Sequence, residues 1–401
     1  MNLEKAVDFI AEAQRRGGAE NSRTIRPQPA GQSGCRMKLS PAVFLSATLR
    51  LCDFALTPVF RTERLAISRW IVVLVALLLA AGGCSTSGPE PRRSSTGPGG
   101  PGRQQVVYRG WTNSWVLTNA QVEAVVVPAL GRVMQFRFRG EKSGPFWEND
   151  PLDGRLPDPQ STEWFNVGGD KTWPAPQADW PQLTGRGWPP PSTFDAVPLE
   201  VVMNRRSLTL VSPVDPHYGI RTRRTIALHP TRPEMSITTH YEKVEGKPVR
   251  VGIWTITQLK DPVGVYAKVP DNSLLAGGFN LQSAEPPPSL RLREGWLSLK
   301  RDPKTAHKIG LDAAGLLWVG EQSMVWIESP LEAGRVYPDQ GSSVEVYTNP
   351  DPLSYVELEL LGPLEVYKPG TIASRTTIYT LFRRTRGDPE ADARRVLGSG
   401  R

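Results

Sequence analysis

From Val106 onward, apolar and polar positions alternate with a period of two, broken by Gly, Pro, Asp or Asn. That is the pattern of half-covered strands joined by turns. The stretch 118–141 runs apolar, breaks at Pro128 and Gly131, then alternates again through Val133, Gln135 and Arg137. The same reading predicts strands at 199–204, 207–211, 223–228, 235–241, 249–258, 296–300, 316–320, 324–328, 343–348, 354–361 and 376–383. A helical stripe is hard to find before 390–397. Many short strands without alternating helices predict an all-β fold, a large antiparallel β-sandwich. The expected boundaries are 106–386 for the sandwich and 387–401 for a C-terminal tail.

The chain before Val106 follows a different pattern. Residues 71–80, IVVLVALLLA, form an apolar run preceded by Arg61, Arg64 and Arg69 and followed by Ala81-Gly82-Gly83-Cys84. A positive flank, a short apolar segment and small residues before a cut describe an export signal. The run is shorter than the roughly 20 apolar residues of a membrane span. Small residues ending in Cys resemble the lipobox of bacterial lipoproteins, with Ala81 where Leu is usual. The resemblance implies lipidation at Cys84, membrane attachment and an envelope location. In a cell with two membranes, Ser85 in place of Asp points to the periplasmic side of the outer membrane. Residues 61–84 are thus read as the signal and 85–105 as a Ser/Gly/Pro tether. Residues 1–60 are read as a non-native extension from an upstream start.

Charge then narrows the partners. The whole chain carries a net +8, but residues 1–84 hold 11 basic and six acidic residues. The remainder holds 37 basic and 34 acidic residues, only +3. The clusters Arg221 to Arg224 and Arg383 to Arg386 are short and strand-flanked, which fits solvated faces and not a nucleic-acid groove. All three cysteines (Cys35, Cys52, Cys84) precede the folded region, so it has neither disulfides nor cysteine metal sites. Four histidines in no HxH or HExxH spacing give no support for a metal, and no motif implies a cofactor.

Two segments carry candidate chemistry. Residues 163–191 hold Trp164, Trp173, Trp180 and Trp188 among Pro174, Pro176, Pro181 and Pro189 to Pro191. So many prolines predict a long loop with neither helix nor central strand. Its indoles suit either a platform for a flat ligand such as a sugar or plugs over a sheet end. As a platform, Trp164, Trp173, Trp180 and Trp254 stack on sugar faces, and Asp170, Lys171, Gln177 and Arg132 contribute polar contacts. The second segment is YVELELLGPL, where Glu357 and Glu359 lie two apart on a strand and so share a face. That face is either a wet side or an acid-lined site wall. His217 follows a Pro-rich turn and is a general-acid candidate, or a surface residue.

The order of LTNAQVEAVVVPALGRVMQFRFRGE, NVGGDKTWPAPQADWP, SPVDPHYGI, VGIWTITQ and YVELELLGPL resembles the galactose-mutarotase-like (aldose 1-epimerase-like) superfamily. Within it the chain is similar to an uncharacterised bacterial family, domain of unknown function 4380. The resemblance covers about residues 115–382. It implies a β-supersandwich with a carbohydrate-facing cleft, and a Glu near the C-terminal end as general base, matched by Glu359 or Glu357. It also implies a mid-chain His as general acid. The strand expected to carry that His has Trp254, Thr257 and Gln258 instead, leaving His217 or Tyr218 as substitutes. Three readings remain: a lipid-anchored carbohydrate-binding protein, an epimerase-like enzyme on exported saccharides, and an envelope protein-docking module.

Overall fold

The computed structural model describes residues 102–385 and 387–398. The extension, the apolar run and Cys84 lie outside the described residues. The described part of the chain is built from two antiparallel sheets. Strands are numbered in chain order. The first sheet runs β1 (Gly102–Tyr108), β2 (Trp111–Thr118), β3 (Val122–Val127), β4 (Arg132–Phe138), β5 (Asp170–Ala175), β10 (Val249–Lys260), β19 (Tyr355–Leu361), β18 (Val344–Thr348), β15 (His307–Leu311) and β12 (Asn280–Leu281). Strand β20 (Glu365–Tyr367) pairs with the start of β10. The second sheet runs β13 (Arg291–Arg293), β14 (Trp296–Leu299), β11 (Gly264–Lys268), β16 (Gly315–Val319), β17 (Ser323–Glu328), β21 (Ile372–Arg383), β9 (Glu234–Lys243), β8 (Ile220–Leu228), β7 (Ser207–Val214) and β6 (Glu200–Met203).

The expected all-β sandwich is therefore present, and a strand forms at each position where alternation placed one, while β2, β11 and β15 lie outside those positions. In β9 every second residue is buried, as expected when one sheet face is covered. The facing sides of the sheets share one core, to which Val122, Phe136, Leu358 and Leu360 contribute from the first sheet and Leu210, Ile226, Ile237 and Leu381 from the second. The hairpin between β3 and β4 closes through Pro128–Leu130 and Gly131, whose φ of 65° suits glycine.

Three differences from the sequence reading matter. Strand β1 begins at Gly102, so the tether's last residues, up to 105, are part of the sheet. The tail, where the sequence shows its helical stripe at 390–397, packs onto the sandwich: in the helix Pro389–Gly398, Ala393 is buried against Leu317 and Val319 of β16. Most consequential, the proline-rich segment contains a strand. Asp170–Ala175 lies between β4 and β10 near the middle of the first sheet. Strand β4 pairs with it only at Val133–Asp170. Beyond that pair β5 is an edge on its β4 side, where proline can be accommodated. Pro174 still pairs across to Ile253.

Candidate functional site

Strands β10 and β19 are buried almost end to end. Both faces of the first sheet's centre are therefore covered, one by the second sheet and the other by the tryptophan-rich segment. Register fixes what the outer face presents. Across β10 and β19, Gln258 opposes Glu357 and Ile256 opposes Glu359. Across β19 and β18, Glu359 opposes Glu345 and Glu357 opposes Tyr347. Tyr347 opposes Lys308 on β15, and Ile256 opposes Lys171 on β5. Because side chains alternate along a strand, these residues all fall on one side. The outer face thus carries three carboxylates (Glu345, Glu357, Glu359) between two lysines (Lys171, Lys308).

Glu357 is 3% exposed and Glu359 1%. The wet-side reading of this pair is thereby excluded. Glu359 Oε2 accepts from Trp254 Nε1 at 2.8 Å and from Lys308 Nζ at 3.0 Å. Lys308 Nζ also lies 2.7 Å from Glu345 Oε2 and 4.8 Å from the Trp254 ring centroid. Burial pushes the Glu359 carboxyl well above the usual range, with Glu345 and Glu357 reinforcing the shift against the opposing pull of Lys308. Lys308, paired to two carboxylates, is held firmly as a cation although burial opposes this.

Lys171 is in a different state. Its Nζ reaches Glu357 Oε1 only at 3.4 Å and sits over the rings of Trp173 and Trp164, at 4.7 and 5.3 Å from the centroids. Burial lowers its pKa against the opposing pull of Glu357, with the Arg132 guanidinium acting in the same direction as burial. Beside it, Gln258 Nε2 donates to Asn166 Oδ1 at 2.9 Å, and Asn166 Nδ2 donates to the Tyr355 hydroxyl at 3.2 Å.

The tryptophan segment is held by a residue that the sequence did not signal. Asp195 Oδ1 accepts from Arg132 Nη2 at 2.7 Å and from Trp173 Nε1 at 2.9 Å, and its Oδ2 accepts from Trp164 Nε1 at 2.9 Å. Arg132 also donates to the Gly168 carbonyl at 2.7 Å. Trp173, Trp180 and Trp254 are fully buried, with Trp173 edge-on to the other two and to Trp188. Trp180 Nε1 donates to the Pro174 carbonyl at 2.8 Å. These three indoles are plugs with no free face, which corrects their assignment as stacking surfaces. Trp164 and Trp188 remain half-buried at the outside of the cluster.

Asp170 also requires correction. As Lys171's neighbour on a strand it faces the opposite side, into the sandwich. There it pairs with Arg224 of β8 and accepts from Thr257 at 2.8 Å and Tyr379 at 2.5 Å. It joins the two sheets and offers nothing to the outer face. Arg132 is likewise committed to Asp195. Gln177 is half-buried on the short turn Gln177–Asp179. Asp179 of that turn lies close enough to Asp339 to raise its pKa. His217 is exposed in the β7–β8 turn, where its backbone N–H bonds Asp215. Tyr218 is buried against Phe194, and burial raises its pKa. Both bond Asp215 through their backbone N–H groups, away from Glu345, Glu357 and Glu359.

At the β15 end the face opens. The Lys308 side chain is 16% exposed, and Asp339 stands near Glu345. Asp339 and Gln340 have φ of 47° and 63°, a left-handed backbone rare outside glycine. Two surface cavities lie elsewhere, one against Lys260 and Trp318 and one between Trp296 and Arg394. Among the described residues no group of three or more His, Cys, Asp or Glu side chains is placed to hold a metal.

Fold and site together define a large antiparallel β-sandwich with a covered, charge-lined face. No protein-family model matches the chain, and no curated protein does at a significant level. Solved structures that match it include galactose mutarotase-like and aldose 1-epimerase-like proteins. A galactose mutarotase-like protein from Lactobacillus casei is 8% identical, covering 67% of this chain and 100% of that one with a TM-score of 0.47. One from Clostridium acetobutylicum is 8% identical over 71% of this chain and 99% of that one, with a TM-score of 0.43. Galactose 1-epimerase from Lactobacillus acidophilus is 11% identical over 71% and 99%, with a TM-score of 0.39. Such identities transfer no residue role.

Proposed function

We propose that this chain is an exported envelope protein, lipid-anchored at Cys84, that binds a saccharide on the outer face of its first sheet. We further place it in the domain of unknown function 4380 family of the galactose-mutarotase-like superfamily, on the segments quoted above. One observation carries the binding reading. Three carboxylates and two lysines lie in register on β5, β19, β18 and β15, with Trp254, Ile256 and Gln258 of β10 between them. Burying that many charges is a poor route to stability, because desolvation offsets the attraction between them. A polyhydroxylated ligand is matched by such a set of acceptors and donors, with half-buried Trp164 as a flat wall for an apolar ring face. Entry would be at the Lys308 and Asp339 end. Fluorescence titration of the exported chain with mono- and oligosaccharides tests this, since Trp254 touches Glu359 directly. A saturable change supports the reading, and silence from every saccharide with the fold intact rejects it. Anchoring is tested separately by fatty-acid labelling, which Cys84→Ala should abolish.

One observation favours a second reading, an epimerase-like enzyme. Glu359 holds its proton well above the usual carboxylate range, as a residue that both takes and gives protons does. Anomer exchange followed by NMR tests it. A wild-type rate equal to the uncatalysed one removes it. For the protein-docking reading, Trp173, Trp180 and Trp254 are buried and only Trp164 and Trp188 remain as anchors.

A further inference from the structure

We propose that the cavity between the C-terminal helix and the β13 edge of the second sheet binds a phosphate monoester group. The site is independent of the saccharide reading. It encloses about 150 Å³ on the outer face of the second sheet. Register explains why its lining converges. Across β13, β14 and β11, Arg291 opposes Ser298 and Ser298 opposes Tyr266. Arg293 opposes Trp296 in the next row of the same face. The intervening Leu297, Leu299, Val265 and Ala267 fill the shared core, so these two rows point outward. The helix Pro389–Gly398 brings Arg394 over the Trp296 ring, 5.3 Å from its centroid.

The lining consists mostly of donors. Three guanidiniums and the hydroxyls of Tyr266 and Ser298 meet there, and the acid among them, Glu390, is already engaged. Its Oε1 accepts from Arg394 Nη2 at 2.9 Å and from Nε at 3.1 Å. Arg291 Nη1 is fixed by the Leu290 and Pro288 carbonyls at 2.7 and 3.0 Å. Arg293 has no hydrogen bond or ion pair among the described residues. Tyr266 is only 8% exposed, yet its hydroxyl has no hydrogen-bond partner among them either. A largely buried hydroxyl without a partner is uncommon in folded proteins, and one lining a cationic cavity is matched by an anionic acceptor. Guanidinium forks bind the oxygens of carboxylate and phosphate in pairs. A carboxylate offers two oxygens to this set of donors, whereas a phosphate monoester offers three. Three arginines against Glu390 and the adjacent Glu294, 3.5 Å from Arg394 Nη2, leave the balance positive. Half-buried Trp296 is an apolar wall for the group that carries the phosphate.

The test is isothermal titration of the exported chain with phenyl phosphate and with inorganic phosphate. A second arm is flotation of the same chain, carrying Cys84→Ala so that no lipid is attached, with phosphatidylcholine vesicles with and without phosphatidate. Saturable, phosphate-dependent binding is expected in at least one arm. Soluble phosphates binding assigns a free ligand, and phosphatidate vesicles alone binding assigns a lipid headgroup; either upholds the site when the variants below weaken it. Arg293→Gln breaks no contact within the chain, and Tyr266→Phe removes only the hydroxyl. Each should raise the dissociation constant about tenfold or more, the usual loss for one charged hydrogen bond. Lys247→Gln makes the same charge change on an exposed loop outside the lining and should leave affinity unchanged. No phosphate-dependent binding in either arm overturns the proposal, as does binding that Arg293→Gln and Tyr266→Phe leave unchanged. Either failure leaves the saccharide reading standing, because its residues lie on the other sheet.

Discussion

Glu345 and Glu359 sit directly opposite each other on β18 and β19, both buried, with the Lys308 ammonium at 2.7 Å from one and 3.0 Å from the other. Like charges in cross-strand register repel. Lys308 is what reconciles them. Lys308→Met should cost about 3–5 kcal/mol, the usual penalty for leaving buried charge unpaired. The loss should shrink as pH falls and the carboxylates take up protons. Urea unfolding at pH 5 and pH 8 measures both effects, and an equal loss at the two values argues against carboxylate repulsion. Adding Glu345→Gln should recover part of the loss at pH 8.

Asp195 anchors one guanidinium and two indoles from three separate parts of the chain. Asp195→Ala leaves buried Arg132 without its carboxylate and should destabilise by about 3–5 kcal/mol. Cleavage of the tryptophan segment by a protease should accelerate more than cleavage elsewhere. Asp195→Asn keeps the shape and an acceptor, so it should fall between wild type and alanine.

Asp339 gives a pH signature near neutrality. Burial, with Glu345 adding repulsion, pushes its carboxyl up to about 7. Unfolded aspartate titrates near about 3.9. Between these values the folded state holds the extra proton, so this residue's contribution to stability is lost as pH rises through that window. Asp339→Asn removes the dependence. Its advantage over wild type should be near zero at pH 4 and largest above pH 7, measured by thermal unfolding. Asparagine also tolerates the left-handed backbone at this position. An advantage that does not grow with pH contradicts the assignment.

Asp170 illustrates what strand alternation conceals. Sequence grouped it with Lys171, and the fold sends the two to opposite faces. The buried contact with Arg224 ties the sheets together, so Asp170→Asn should destabilise by about 3–5 kcal/mol. It should leave saccharide affinity unchanged in protein that remains folded, and a large affinity loss there would return Asp170 to the site.

The strands were legible because covering one face writes a period of two into the sequence, as in β9. The shared face of Glu357 and Glu359 was legible for the same reason. Whether that face is wet or covered was not, since alternating Leu and Glu read alike in both cases. Glu345 in VEVYT carried the same signal as VELEL and could have been found by it. Lys308 and Asp195 could not, because their partners lie 51 residues away for Glu359 and 63 for Arg132. Strand β5 escaped because both of its faces are buried and it contains Pro174. Its residues DKTWPA therefore show no alternation to read.

The most direct test of a saccharide site on this face is a fluorescence titration of the wild type beside Glu359→Gln, both verified as folded. Glu359 accepts hydrogen bonds from the face's central indole and its ammonium, so replacing its carboxyl with an amide should weaken a ligand bound there. Removing one charged hydrogen bond costs about 1.5–3 kcal/mol, or roughly tenfold or more in affinity. Saturable binding is expected in the wild type, with a dissociation constant raised at least about tenfold in Glu359→Gln. No saturable response, or equal affinity in the two proteins, would contradict it.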